Sequence, residues 1–271
     1  MLECVINISE GRSEDTLRQL ASSAAAALLD VHTDADHHRS VFTLAGPDVE
    51  RAARSLARQA IGSIHLDNHV GQHPRIGVVD VVPFVPLDGS TLQDAEAARD
   101  RFAEWLAKSL EVPAFLYGHN RSLPEVRAGA FVSLQPDMGP LLPHPSAGAC
   151  AVGAREVLVA YNLWLDDVTL GETKRLAKEL RRPGLRALAL SMNGSPQLSC
   201  NLTAPFSLGP GAVYDLVAER AAIKTAELVG LMPGAVLAKE PVERWQQLDI
   251  GPDRTIEARL EKADFNRGKT D

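Results

Sequence analysis

Leu28-Leu29-Asp30-Val31-His32, then Thr33-Asp34-Ala35-Asp36-His37-His38-Arg39-Ser40, then Val41-Phe42-Thr43-Leu44-Ala45: two short apolar runs flank one polar run. Runs of about five residues rich in β-branched and aromatic types read as strands, and the polar segment between them reads as a turn. Upstream, Leu2 to Ile8 is another apolar run of strand type. Ser13 follows as an N-cap with Glu14 and Asp15 in the first turn, and Leu17, Leu20, Ala21, Ala24 and Leu28 recur at helical spacing. Downstream, Gly46-Pro47 stops the third strand, and Val49, Ala52, Ala53, Leu56, Ala57 and Ala60 mark a second amphipathic helix. After a loop holding His73, Ile76 to Val85 reads as a fourth strand closed by Pro86. The resulting order is β-α-β-β-α-β.

That order is the split βαβ, or ferredoxin-like, arrangement, with helices covering one face of an antiparallel sheet. It recurs further along. Val157 to Leu165 reads as a strand and Thr169 to Arg182 as a helix; Leu185 to Met192 and Gln197 to Thr203 form a hairpin across Asn193-Gly194-Ser195; Ala212 to Arg220 is a helix and Ala222 to Leu231 a last strand. No residue-level repeat accompanies this structural one. Between the halves lie a helix (about Thr91 to Leu110), a short strand (Ala114 to Tyr117) and a Gly/Pro-rich stretch from Gly129 to Gly153. The expected fold is α/β (α+β): two ferredoxin-like βαββαβ subdomains, residues 1–156 and 157–262, with a polar, frayed tail over 263–271.

The 271 residues are 45% hydrophobic and 23% charged, ordinary values for a globular chain. A net charge of −7, with no basic stripe, argues against nucleic acid and for small-molecule work. Cys4, Cys150 and Cys200 are far apart, and Cys4 and Cys200 sit in apolar runs, so buried thiols are expected and neither a disulfide framework nor a zinc ribbon. Met1 to Glu10 does not read as a signal peptide, and the apolar stretches are too short to span a bilayer. The expected location is the cytoplasm.

Three regions hold polar residues that packing does not demand: Asp30 to Ser40, His65 to Asp80, and Pro136 to Arg155. His65, His69 and His73 are four apart, a spacing that stacks ligands on one helix face, but Gly71 and Pro74 break a helix there, and a metal site is the weaker reading. His73, between Gln72 and Pro74, is confined to extended backbone and titrates near neutral pH, as a general acid or base must. Arg75 sets a cation beside it. By residue type alone, His73 serves equally as an ordinary loop histidine. The glycines and prolines from Gly139 to Gly153 make either a rigid connector or a loop whose N–H groups approach a ligand.

At these residues the chain resembles the formiminotransferase domain family, the glutamate formimidoyltransferases of folate metabolism. The resemblance is carried by Glu3-Cys4-Val5-Ile6-Asn7-Ile8-Ser9-Glu10-Gly11-Arg12, by Leu28 to Gly46, and by Gly71-Gln72-His73-Pro74-Arg75-Ile76-Gly77 with Asp80 to Pro86. It continues through Val112 to Gly118, Leu123-Pro124-Glu125-Val126-Arg127-Ala128-Gly129, Pro136-Asp137-Met138-Gly139-Pro140, His144 to Arg155 and Ala160-Tyr161-Asn162, and more weakly to Glu227 through Pro233. It implies two ferredoxin-like subdomains, the first carrying the catalytic histidine and the folate loop. It implies transfer of the formimino group from N-formimino-L-glutamate to N5 of tetrahydrofolate, releasing L-glutamate in histidine degradation. His73 matches the family's catalytic histidine. The substrate-binding set is Asn7, His32, Arg39 and Arg75 with the loop Gly139, Pro140, Leu141, Leu142, Pro143, His144, Pro145, Ser146, Ala147 and Gly148; Arg155 is a further candidate clamp for carboxylates. Tetrahydrofolate is the co-substrate, no metal is expected, a homodimer is implied, and a separate cyclodeaminase would process the product.

Several positions depart from the family pattern. His38 stands where many relatives have Asn, Ala204 to Pro210 has lost its usual polar and aromatic residues, and the loops after Gly118 and Gly129 look trimmed. These departures keep two other readings open: a one-carbon transferase using formyl-glutamate or another donor, and a non-catalytic module binding folate or an amino acid.

Overall fold

The computed structural model describes residues 1–71, 74–192 and 194–267. The chain divides into two compact units, Met1–Glu156 and Val157–Asp271.

The first unit contains β1 (Leu2–Ile8), α1 (Glu14–Ser23), β2 (Leu28–Asp34), β3 (Arg39–Ala45), α2 (Val49–Ser63), β4 (Val79–Pro86), α3 (Leu92–Leu110), β5 (Ala114–Tyr117), α4 (Leu123–Gly129) and β6 (Cys150–Ala154). Its sheet runs β2-β3-β1-β4-β6-β5. The first four strands are mutually antiparallel, which with their connectivity is the ferredoxin-like arrangement. The strand alternation explains the two faces. Ile6, Phe42, Val82, Phe84 and Val152 point to the side where Leu20, Leu56, Phe102 and Leu106 of α1, α2 and α3 complete the main core. Val81, Phe115 and Ala151 point to the other side, where Val126 of α4 covers them.

Three readings of the first unit are corrected by the structure. The Gly/Pro-rich stretch to Gly153 is not all irregular, because Cys150–Ala154 inserts as a parallel strand between β4 and β5, lengthening the four-stranded sheet to six. Its small residues are all buried and show no polar alternation that would mark a strand. Leu123–Gly129, not read as a helix in the sequence, is one; a capping box closes its start, with Ser122 Oγ accepting from Glu125 N and Glu125 Oε2 accepting from Ser122 N. The fourth strand also begins at Val79 rather than Ile76. Ile76 N–H is taken by the Asp80 carboxylate and Val78 N–H by the Ala147 carbonyl, so these residues are hydrogen-bonded outside the ladder.

The second unit holds β7 (Val159–Asp166), α5 (Leu170–Leu180), β8 (Leu185–Met192), β9 (Ser195–Leu202), α6 (Pro210–Ala218) and β10 (Ala222–Val229), in sheet order β10-β7-β9-β8 and all antiparallel. This is the same arrangement again. Met192 pairs with Ser195, so Ser195 belongs to the strand and not to the turn; Asn193 lies outside the described residues. Tyr161, Leu163, Leu198 and Leu228 meet Leu180 and Val217 in its core. The short helices α7 (Gly234–Leu237) and α8 (Trp245–Leu248) add Val236 and Leu248. A last helix, α9 (Ile256–Arg267), carries residues 263–267, which the sequence reading assigned to a frayed tail. Its start is fixed by Thr255, whose Oγ1 accepts from Ala258 N and whose backbone bridges Met232. No described helix is long and apolar enough to cross a membrane.

Gly153 faces Tyr117 across β5 and β6, and a Cβ on it would lie 2.1 Å from Cζ of that ring. Both residues are buried, so the ring has little room to retreat. Gly153→Ala is therefore expected to destabilise the first unit by about 1–3 kcal/mol through overpacking. Urea unfolding checks this; an unchanged midpoint would mean that the ring yields freely.

Candidate active site at one edge of the first sheet

Strand direction brings the ends of all six strands of the first sheet together at one edge: the ends of β1 and β2 and the starts of β3, β4, β5 and β6. The three polar regions of the sequence are the connections at that edge. Ser9 N–H donates to the Val78 carbonyl and Ser9 Oγ to the Gly77 carbonyl, so the end of β1 is tied to the segment before β4. Gly77 pairs with Gly148, and Ala149 N–H donates to Ile76. A Cβ on Gly77 would lie 1.8 Å from the Ala149 carbonyl oxygen, and Gly148 has φ +69°. Only glycine permits this approach and this conformation together.

At the edge lies a buried carboxylate. Asp80 is fully buried and accepts from Arg39 Nη1 at 2.6 Å, Arg127 Nη2 at 2.7 Å and Ile76 N–H at 2.7 Å. It occupies a β-bulge: Ile8 pairs with Val79 and Asn7 with Val81, leaving Asp80 as the extra residue. Burial alone would raise its pKa, but the guanidinium groups of Arg39 and Arg127 and the backbone bond outweigh that and hold it below the usual carboxylate range. Arg39 is itself pushed down by burial and by Arg127, against the pull of Asp80. Its Nε donates to Asn7 Oδ1 at 3.0 Å.

A second group stands beside this one. The β2–β3 turn is closed by Asp34, whose Oδ1 accepts from the N–H groups of Asp36 and His37. His38 follows with φ +48°, accepts from Gly11 N–H through Nδ1 at 3.1 Å, and stacks on His69 with ring centroids 4.0 Å apart. Arg75 donates to the carbonyls of His37 (2.9 Å) and His38 (3.1 Å), and its Nη1 lies 2.7 Å from Nε2 of His69. Burial, with Arg39 nearby, pushes Arg75 down to about 10. Burial and the charge of Arg75 push His69 down to about 4, so its ring is neutral at physiological pH.

The expected site residues fall as follows. Asn7, His32 and Arg39 share one sheet face, since His32 and Asn7 both pair with Val41 and stand about 10 Å apart by strand spacing. Arg75 is turned into the cluster just described. The loop from Gly139 to Gly148 has two parts. Gly139, Pro140, Leu141, Leu142 and Pro143 are exposed, as is Pro145, whereas Ala147 and Gly148 are buried against Ile76 and Gly77. His144 closes the turn, its Nδ1 accepting from Ser146 N–H at 3.3 Å and Ala147 N–H at 3.1 Å. Gln72 and His73 lie outside the described residues. Arg155 follows Ala154, which pairs with Phe84, so it stands at the opposite edge of the sheet, away from the other candidates. His65 and His69 flank a short 3-10 turn, Leu66–Asn68, and not a continuous helix, so the four-residue stacking does not arise.

Asp80 and Arg127 were not singled out from the sequence. An acidic residue within the apolar run Val78 to Val85 is the signal that marks Asp80. Nothing local marks Arg127, because its partner lies 47 residues away.

Two outcomes follow from this geometry. Asp80→Asn leaves two largely buried guanidinium groups facing a neutral amide and is expected to cost about 3–5 kcal/mol of stability, read by urea unfolding. His69 is expected to titrate near 4 by NMR, and Arg75→Gln to move that value up. Because His69 is depressed in the folded state, its contribution to stability is complete above the ordinary value of 6.5 and is lost as pH falls toward about 4, the unfolded chain binding the proton first.

Comparison with known proteins adds to this picture. The family model for the formiminotransferase domain, N-terminal subdomain, matches residues 1–155. The glutamate formimidoyltransferase of Streptococcus pyogenes serotype M1 is 37% identical over 205 residues, 68% of this chain and 69% of that protein. The formimidoyltransferase-cyclodeaminase of Sus scrofa is 36% identical over 205 residues, 68% of this chain but only 38% of that protein's length. The glutamate formimidoyltransferase of Thermoplasma acidophilum is 29% identical over 298 residues, 97% of this chain and 98% of that one. With its first 155 residues matching the family model and a relative at 37% identity over two thirds of both chains, the chain belongs to the formiminotransferase domain family.

Proposed function

We propose that this chain transfers the formimino group of N-formimino-L-glutamate to N5 of tetrahydrofolate, with His73 as the general acid/base. The observation that carries the reading is the hydrogen-bonded pairing of Gly77 with Gly148. It joins the segment that leads from His73 into β4 to the loop assigned to folate, so the two motifs are neighbours although some seventy residues separate them.

The chemistry suits the residues. N5 attacks the amidine carbon and a new C–N bond forms; the tetrahedral adduct then expels the glutamate nitrogen. One proton leaves N5 and one reaches the departing nitrogen. A single histidine titrating near neutrality performs both transfers in turn. The donor and the folate are both anionic, and Arg39, Arg75 and Arg127 converge at this edge. Guanidinium groups gathered in this way suit carboxylate-bearing ligands. The exposed part of the loop, with Leu141 and Leu142, offers apolar surface beside backbone that glycine keeps open.

The reading is tested by single-turnover assay with formiminoglutamate and tetrahydrofolate on the unaltered protein and on His73→Ala. The expected result is 5-formimino-tetrahydrofolate from the former and a rate lowered by about 10²–10⁴ in the variant. Turnover that survives the substitution removes His73 from the role. A folded protein that binds folate but turns over only formyl-glutamate, or neither donor, overturns the formimino reaction.

A further inference from the structure

Arg12 stands on the connection from β1 to α1, one of the segments at the candidate edge. Its root is fixed by close packing. A Cβ on the preceding Gly11 would lie 2.3 Å from the Asp34 carbonyl oxygen and 2.6 Å from Arg39 N, so glycine lets the connection press against the β2–β3 turn. Gly11 N–H donates to His38 Nδ1 at 3.1 Å, and Arg12 N–H donates to Glu10 Oε1 at 2.7 Å. The side chain reaches the same turn, where its Nε donates to the Ala35 carbonyl at 2.9 Å. Nη1 and Nη2 of Arg12 have no hydrogen-bond or ion-pair partner among the described residues, although acids are close in sequence. Glu14 and Asp15 pair with Arg18, and Glu10 turns its Oε1 to backbone N–H groups. Arg39, Arg75 and Arg127 differ in this respect, since Asp80, Asn7 and the carbonyls of His37 and His38 accept from them. Burial pushes His38 and Arg75 down, and the charge of Arg12 adds to that in both, so its guanidinium stands on their side of the edge.

From this geometry we infer that Arg12 is a binding residue for formimino transfer: its Nη1 and Nη2 take a glutamyl carboxylate, the group that the donor and folate share. The planar fork matches the two oxygens of a carboxylate, which then accepts two parallel N–H bonds. The bond from Nε to Ala35 holds the fork in place before a ligand arrives, so less side-chain freedom is lost on binding. The side chain is exposed, and a carboxylate reaches it from solvent without displacing a protein group. Arg39, Arg75 and Arg127 would first have to share or give up protein acceptors. The inference rests on the reading of this edge as the site of formimino transfer.

The test uses the whole chain with Arg12→Gln and Arg12→Lys beside the unaltered protein. kcat and KM are measured with N-formimino-L-glutamate and with tetrahydrofolate bearing one or several glutamyl groups, at low and at high salt. Arg12→Gln is expected to raise KM for one of the two substrates about ten-fold, the low end for a charge-assisted pair, and to leave kcat within about two-fold. A rise confined to formiminoglutamate assigns the fork to the donor, and a rise confined to tetrahydrofolate assigns it to the folate tail. Added salt raises the same KM more in the unaltered protein than in Arg12→Gln, a difference that a purely structural role does not produce. Lysine keeps the charge without the fork and restores part of the loss. An unchanged KM for every substrate overturns the inference. So does a loss confined to kcat, or a rise for both substrates together, which marks a disturbed edge. If the unaltered protein does not transfer the formimino group, the proposed reaction fails, and calorimetric titration with L-glutamate and with tetrahydrofolate decides separately. Affinity lowered in Arg12→Gln upholds the clamp; affinity equal in both proteins, or absent in both, overturns it.

Discussion

The candidate edge of the first unit depends on the burial of one charge. A carboxylate removed from water is tolerated only when cations and hydrogen-bond donors replace its hydration. Asp80 obtains them from three separate stretches of chain: Arg39 at the start of β3, Arg127 on α4 and the backbone of Ile76 just before β4. Satisfying that one group therefore requires the β2–β3 connection, the α2–β4 connection and α4 to arrive at the same place. The β-bulge is part of the same solution. In strict alternation Asp80 would share the side of Val82 and Phe84 and point into the main hydrophobic core. The extra residue opposite Asn7 and Ile8 lets the carboxylate reach its cations instead.

The partners of Asp80 extend the arrangement outward. Arg39 holds Asn7 on β1, and Arg127 holds the carbonyl of Pro74. Arg75 binds the carbonyls of His37 and His38, drawing the β2–β3 turn onto the same segment. Glu10 closes the remaining connection, its Oε1 accepting from the N–H groups of Gly11, Arg12 and Ser13, with His38 beside it. Burial would raise the pKa of Glu10, but those bonds and His38 outweigh it and keep the carboxyl low. Loops that pure strand geometry would leave loose are thus joined by side chains to backbone groups, which supports a site on connections positioned by a rigid sheet.

The electrostatic consequence is a concentration of fixed positive charge. His38 is pushed down by burial and His69 down to about 4 by burial and Arg75, so both imidazoles stay neutral where three guanidinium groups already crowd. Neutral rings can stack face to face at 4.0 Å without repulsion and leave Nδ1 of His38 free of a proton to accept from Gly11. His38 takes up a left-handed backbone, φ +48°, a conformation in which histidine is over-represented among non-glycine residues.

Local sequence determined most of the scaffold. Alternating and periodic apolar residues marked the elements of the two βαββαβ units, because each strand or helix must bury one face whatever its neighbours do. His73, Arg75, His32, Arg39 and the loop Gly139 to Gly148 stood in segments that are polar or glycine-rich where packing asks for neither, but only the family resemblance joined them, with Asn7, into one candidate set. Strand β6 was hidden, because Cys150–Ala154 is small and wholly buried, and its strand character comes only from the parallel partners on either side. The tertiary structure alone decided that Arg155 stands at the far edge, that Arg75 turns to backbone carbonyls, and that Asp80 is shared by Arg39 and Arg127. The physical reason is the same in each case. Local pattern reports which face a residue wants, whereas ion pairing, bulges and strand order depend on groups tens of residues away that only the folded chain brings within about 3 Å.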